Sequence, residues 1–357
     1  MKARSLFSLV SIVLVSACGL PGPSNVPRAV FAASALQRAR SLYFAGIALN
    51  ARGPGFLGPG ELGTYPATAN GNVAPAHVIA GEKTGLFEEG GCCVPQSAWF
   101  DAADNSVWTC RTFSKFISRF SANSWGNVRP AGRLAISPHT VSCGGVAVTK
   151  MGDVVADDVN NAFVATWASG AAGDDRPLRK IAGGATDLFL PSGITFDGQG
   201  NYIVADRCSP PACGGKLGGE ILTFDARADG NVAPVRVLAG GKTQLSGPDR
   251  VAYDPIHNRI YAANLYTSTI TAYPATSTGN VAPTISIAGT NTHLWNPDAI
   301  AIDDAGYLYV GNEPLVPGPP PASILVFAPG ADGNAAPVQI IQGSKTGLAE
   351  VDGLSVH

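Results

Sequence analysis

The residues of this 357-residue chain that could do chemistry are seven cysteines, five histidines and three similarly placed aspartates. Asp249, Asp298 and Asp352 each stand just ahead of a short apolar run, two of them after a proline. Carboxylates that converge can hold a hard cation such as Ca²⁺ through oxygen ligands, so these three are the candidate metal ligands. A Pro-Asp step is also a common local cap, and no other cofactor is indicated. His77, His139, His257, His293 and His357 share no spacing, and neither G-x-S-x-G nor H-E-x-x-H occurs, so the sequence assembles no nucleophile with a base. The cysteines lack the paired C-x₂-C spacing with histidine partners of a zinc site.

Composition narrows the classes. Lys plus Arg (24) nearly balance Asp plus Glu (26), and charged residues are 14%. No long-range field draws nucleic acid or an anionic bilayer to such a chain. Gly (43) and Pro (27) are abundant while hydrophobic residues still make 45%, a mixture that suits many short strands joined by many turns.

An internal repeat supplies those strands. The segment GNVAP occurs at 71–75, 230–234 and 279–283, with GNVRP at 126–130, GDDRP at 173–177 and GNAAP at 333–337. After five of the six comes an aliphatic-x-Gly-x-x-Thr-x-Leu element, starting at Ile79, Ile181, Leu238, Ile287 and Ile341; the copy around Ile136 has lost it. A period of about 50 residues fits one four-stranded propeller blade. Within each unit a small-residue strand 1 leads by a tight turn to strand 2 (YIVAD, LYVGN). Strand 3 then alternates apolar and polar residues and ends in an aromatic (EILTF, TITAY, SILVF). Strand 4 is expected to begin at the proline of GNVAP, as an outer edge tolerates.

The chain begins the repeat with strands 2, 3 and 4 of one blade and ends on a lone strand 1 at 352–357. Pairing that last strand with the N-terminal blade would remove a bare edge and complete six sets of four. The expected fold is therefore all-β: a six-bladed β-propeller over 41–357, four antiparallel strands per blade, closed by its C-terminal strand. The repeat grammar resembles bacterial six-bladed propellers of the NHL-repeat type. That resemblance implies a fold and leaves function open, because such propellers host scaffolds, binders, lyases and lactonases; their gluconolactonase-like relatives place a metal in the channel.

Strand alternation puts the 2–3 and 4–1 connections on one face. There lie the long loops at 49–60, 207–219 and 313–322, where a protein or carbohydrate partner is expected. Cys92, Cys93, Cys110, Cys143, Cys208 and Cys213 map to the same face, an even number that suits three disulfides among 15 connectivities. Cys208 with Cys213 is the simplest local pair, and the other four would staple the first two complete blades. The glycine-asparagine turns fall on the opposite face and read as turn chemistry.

Lys2 and Arg4 precede a 13-residue apolar run at 5–17, too short to span a bilayer. The run ends in Val15-Ser16-Ala17-Cys18, which resembles the bacterial lipobox. The resemblance implies a signal peptide at 1–17, acylation (palmitate or a similar chain) at Cys18, and a proline-containing tether at 18–40. Export to the cell envelope follows, and Gly19 rather than Asp after the cysteine favours the outer membrane of a Gram-negative cell. The function expected is a non-catalytic binding or scaffolding lipoprotein; the alternative is a lactonase, hydrolase or lyase working at the channel mouth with a divalent metal.

Overall fold

The computed structural model describes residues 41–48, 60–86, 94–136, 142–207, 218–314 and 321–357. Twenty-four strands form six four-stranded antiparallel sheets arranged as the blades of a propeller. The inner strands, strand 1 of blades 1 to 6, are Leu348–Val356, Trp99–Asp101, Val146–Val148, Pro191–Phe196, Pro248–Asp254 and Pro297–Ile302. The first of these pairs with Ser41–Ala48, so the end of the chain completes the first blade. Ser41 and His357 exchange backbone hydrogen bonds of 2.8 and 3.0 Å at the end of this pairing.

Burial follows the period of two. The aromatic that ends every strand 3 (Tyr65, Phe120, Trp167, Phe224, Tyr273 and Phe327) is under 2% exposed, and these rings pack between neighbouring blades. Burying one such side chain stabilises by ~1.5–3 kcal/mol. The inner strands are built of small residues because their backbones nearly touch. A Cβ added to Gly353 would lie 2.5 Å from backbone atoms of Ser97 and Ala98, and one on Gly144 would lie 2.7 Å from the Ser192 carbonyl oxygen.

Strand 4 starts two residues later than expected, at His77 after Pro75 and at Arg236 after Pro234. Proline has no N–H, so the first bond to strand 3 comes from the next residue, as in Ala76 N–H to Thr64 O at 2.7 Å and Val235 N–H to Thr223 O at 2.8 Å.

The two shared sequence elements turn out to be partners. Each turn glycine bridges strand 4 of the preceding blade: Ile79 with Gly126, Ile181 with Gly230, Leu238 with Gly279, Ile287 with Gly333 and Ile341 with Gly71. The asparagine that follows accepts a backbone N–H from the Gly-x-x-Thr segment of that blade. The pairs are Lys83 to Asn127 (2.8 Å), Ala185 to Asn231 (2.7 Å), Lys242 to Asn280 (2.7 Å), Asn291 to Asn334 (2.8 Å) and Lys345 to Asn72 (2.7 Å). The threonine, fully buried, closes the segment on itself by donating to the glycine carbonyl, 2.6 Å for Thr84 to Gly81. One latch is missing, and both halves are missing together. Blade 2 lacks the threonine element around Ile136, and the following turn carries Asp174 in place of asparagine while Gly173 keeps its bridge to Leu134.

Candidate functional site at the channel mouth

The residue ahead of each inner strand's apolar run is Gln96, Gly144, Ser192, Asp249, Asp298 and Asp352 in blades 2, 3, 4, 5, 6 and 1. One step deeper come Ser97, Gly145, Gly193, Arg250, Ala299 and Gly353. Five of these six are small, and Arg250 fills the space they leave. Its Nη1 donates to the Ser192 carbonyl at 2.5 Å and to the Asp249 carboxylate; Nε donates to the Asp352 carbonyl at 3.2 Å and Nη2 to the Gln96 carbonyl at 2.9 Å. Asp298 lies 3.8 Å from Nη2. Burial works against this guanidinium's charge, but Asp249, Asp298, Asp352 and Asp157 outweigh it and hold its proton more tightly than usual. Beneath it a cavity of about 60 Å³ is walled by Ala98, Val146, Ile194, Val251, Ile300 and Leu354. A charged plug therefore sits on an apolar shaft.

The three aspartates expected to converge do so, with unequal roles. Asp249 is saturated by cations: Arg207 lies 2.6 Å from one of its oxygens and Arg250 holds the other. Burial alone would raise its pKa, and the two guanidiniums carry it below the ordinary carboxylate range. Asp298 and Asp352 are joined instead by Glu313, the three offering carboxylate oxygens within 4.8 Å of one another. Asp298 Oδ1 and Asp352 Oδ2 are buried and have no hydrogen-bond partner among the described residues. Burial and neighbouring negative charge raise both pKa values well above normal: Asp249 is the neighbour at Asp298, Glu313 and Glu350 at Asp352. Burial also raises Glu313, and it pushes Glu350 up to about 7.

On the far side of the ring Asp157 is fully buried. Its Oδ1 accepts the N–H groups of Gly144 (2.7 Å) and Gly145 (2.9 Å), and burial still pushes its pKa up to about 7. Asp157 occupies a slot that holds Ala205, Ala263 and Gly311 in blades 4 to 6. The residues that sequence reasoning missed, Arg250 and Asp157, thus share a visible signal: a charge where the other repeats keep a small side chain. Arg207 and Glu313 had none, since each follows a strand 2 at a position with no shared residue type.

Cys110 and Cys143 form a disulfide with their Cα atoms 5.9 Å apart, tying the end of strand 2 of blade 2 to the connection entering blade 3 on the mouth face. Cys18, Cys92, Cys93, Cys208 and Cys213 lie outside the described residues, as do most of the three long loops and His139. Two histidines are placed far from the carboxylates, on the opposite face: His257 is bound to Asp254 at 2.7 Å in a 1–2 turn, and His357 packs on Phe100. Around the mouth, Phe113, Phe189, Tyr266 and Trp295 are exposed by 55%, 42%, 53% and 47%. All four stand in 2–3 or 4–1 connections. A larger open hollow of about 550 Å³ between blades 1 and 2, lined by Glu82, Lys83, Arg129 and Arg133 among others, has mixed, solvent-facing charge and no buried polar group aimed into it.

No protein-family pattern matches the chain, and no curated protein does. Solved structures do. A protein of unknown function from Bacteroides caccae superposes with a TM-score of 0.60 at 11% identity, over 89% of this chain and 98% of that one. A chain from a crystal structure of a nidogen/laminin complex does so with a TM-score of 0.59 at 15% identity, again over 89% and 98%. At these identities the likeness shows the fold, a six-bladed β-propeller.

Proposed function

We propose that this chain is a cell-envelope lipoprotein whose propeller holds a protein partner on the mouth face, without catalysis. The observation that carries the reading is the set of four exposed aromatics on the mouth face, Phe113, Phe189, Tyr266 and Trp295, against Trp125 alone on the opposite face among the described residues. A few residues carry most of the binding energy of a protein interface, and Trp and Tyr are enriched among them. The Cys110–Cys143 bridge fixes the backbone beside Phe113, which lowers the entropy lost on binding. Anchoring at Cys18 is consistent with the geometry: Ser41, where the described chain begins, lies beside His357 on the face opposite the mouth. A tether leaving from there would turn the mouth away from the membrane. One of the solved structures that superpose on the chain comes from a nidogen/laminin complex.

The test is site-specific photo-crosslinking in the cell envelope from positions 189 and 295 on the mouth face and from Val232 and Val281 on the opposite face. The expected result is one common adduct from the first pair, absent from the second pair and lost when Phe113 and Tyr266 are both replaced by serine. Adducts from both faces, or from neither, would overturn the reading. Anchoring is tested separately: Cys18→Ala should abolish acylation and release the protein or leave it unprocessed, and a membrane-held, normally processed Cys18→Ala protein would remove the lipoprotein part.

A further inference from the structure

We propose that Asp298, Glu313 and Asp352 bind a divalent, oxygen-seeking cation and that the ion fastens the ring where it closes. The inference does not depend on the partner reading. Asp298 begins the inner strand of blade 6, Glu313 follows strand 2 of the same blade, and Asp352 lies in the closing strand of blade 1.

Three observations support it. The carboxylate oxygens all lie within 4.8 Å of one another, close enough for a single hard cation to reach all three. The set contains no nitrogen or sulfur, which disfavours zinc and copper. Two of the oxygens, Asp298 Oδ1 and Asp352 Oδ2, are buried without a hydrogen-bond partner among the described residues. An unpartnered buried carboxylate oxygen is costly, and such atoms call for an ion, a proton or water.

Charge points the same way. Asp157, Asp249, Asp298, Glu313, Glu350 and Asp352 face two guanidiniums, Arg207 and Arg250, and both make their close ion pair with Asp249. Asp298, Glu313 and Asp352 have no comparably close cationic partner among the described residues. Arg250 reaches Asp298 only at 3.8 Å and Asp352 only through its carbonyl; Asp298 otherwise meets the carboxyls of Asp249 and Glu313, contacts that need a shared proton or a cation.

The experiment is calcium titration of the chelator-treated mature protein, by calorimetry and by thermal melting with and without Ca²⁺. The expected result is one ion per chain, with an upward shift in Tm. Glu313→Gln and Asp352→Asn should each bind roughly tenfold or more weakly, since affinity follows ligand charge. In chelator they should melt at or above the wild-type temperature, because like charges have been separated; in Ca²⁺ they should melt below it. Asp104→Asn, an exposed carboxylate paired with Arg119, should leave binding unchanged. No binding up to about 10 mM, above the range of weak extracellular calcium modules, would overturn the proposal. So would wild-type affinity in both variants, or a loss of Tm as large in chelator as in Ca²⁺. Crosslinking on the mouth face is read out independently, so failure of the ion site leaves the partner reading standing, and the reverse.

Discussion

The guanidinium of Arg250 and the backbone carbonyl of Asp352, 102 residues apart in sequence, are bonded at 3.2 Å. The contact ties blade 5 to the closing strand across the channel and leaves the Asp352 side chain turned to its acidic neighbours. Through one side chain, the centre of the ring is linked to blades 1, 2, 4 and 5 by hydrogen bonds and to blade 6 by charge.

Arg250→Met should therefore cost about 3–5 kcal/mol, the usual penalty for stripping one partner from a buried ion pair. Urea denaturation of Arg250→Met against the wild type checks this; an unchanged stability would contradict it.

Asp157 titrates near 7 in the folded protein against 3.8 for the free group. Between those values the folded state keeps a proton that the unfolded chain has released. Stability is thus lost as pH rises through that window, and the loss is complete above the folded value. At ~1.4 kcal/mol per unit, the upper bound is ~4 kcal/mol. Asp157→Asn keeps an acceptor for the Gly144 and Gly145 N–H groups without the charge. It should match the wild type below about pH 4 and exceed it above about pH 7.5. A variant less stable than wild type in alkali, by denaturant titration across pH, would refute the assignment.

Each turn asparagine should contribute about 1 kcal/mol through its single inter-blade hydrogen bond. Asn127→Ala, Asn231→Ala and Asn280→Ala are expected to lower stability by about that much. Asp174→Asn should change little, because blade 2 lacks the segment that would donate to it. Thermal melts of the four variants settle the matter, and a large gain from Asp174→Asn would show that the latch does not depend on its partner.

Removing 352–357 deletes Leu354, 7% exposed, and half-buried Val356 from the core of blade 1. At ~1.5–3 kcal/mol per fully buried side chain the loss approaches a sizeable part of a typical ~5–15 kcal/mol stability. The truncated protein should melt well below the full chain; an unchanged melting curve would mean the ring does not need this strand.

The fold was legible in the sequence because repetition makes each element visible six times. The aromatic closing strand 3 and the small inner strand are readable even where one copy has decayed, and the lone final strand counts as the missing piece of the first blade. The site was half legible. Asp249, Asp298 and Asp352 share a repeat position, so their convergence follows from the ring. That Asp249 would be neutralised and Glu313 take its place depends on Arg250 and Arg207, which belong to single blades. Contacts made by one copy against the rule of the others are what a repeat conceals, unless the exceptions are sought as such.

Closure of the first blade by Leu348–Val356 also sets an order of events. The inner strand of blade 1 is made after every other strand of the ring, so three strands of that blade must wait, edge bare, while the remaining twenty are produced. Until then the waiting edge can accept the same strand from a second chain, joining two open rings head to tail. This favours ring closure only after the whole repeat has been made, and it makes dilution during refolding a determinant of whether rings or chains of rings are recovered.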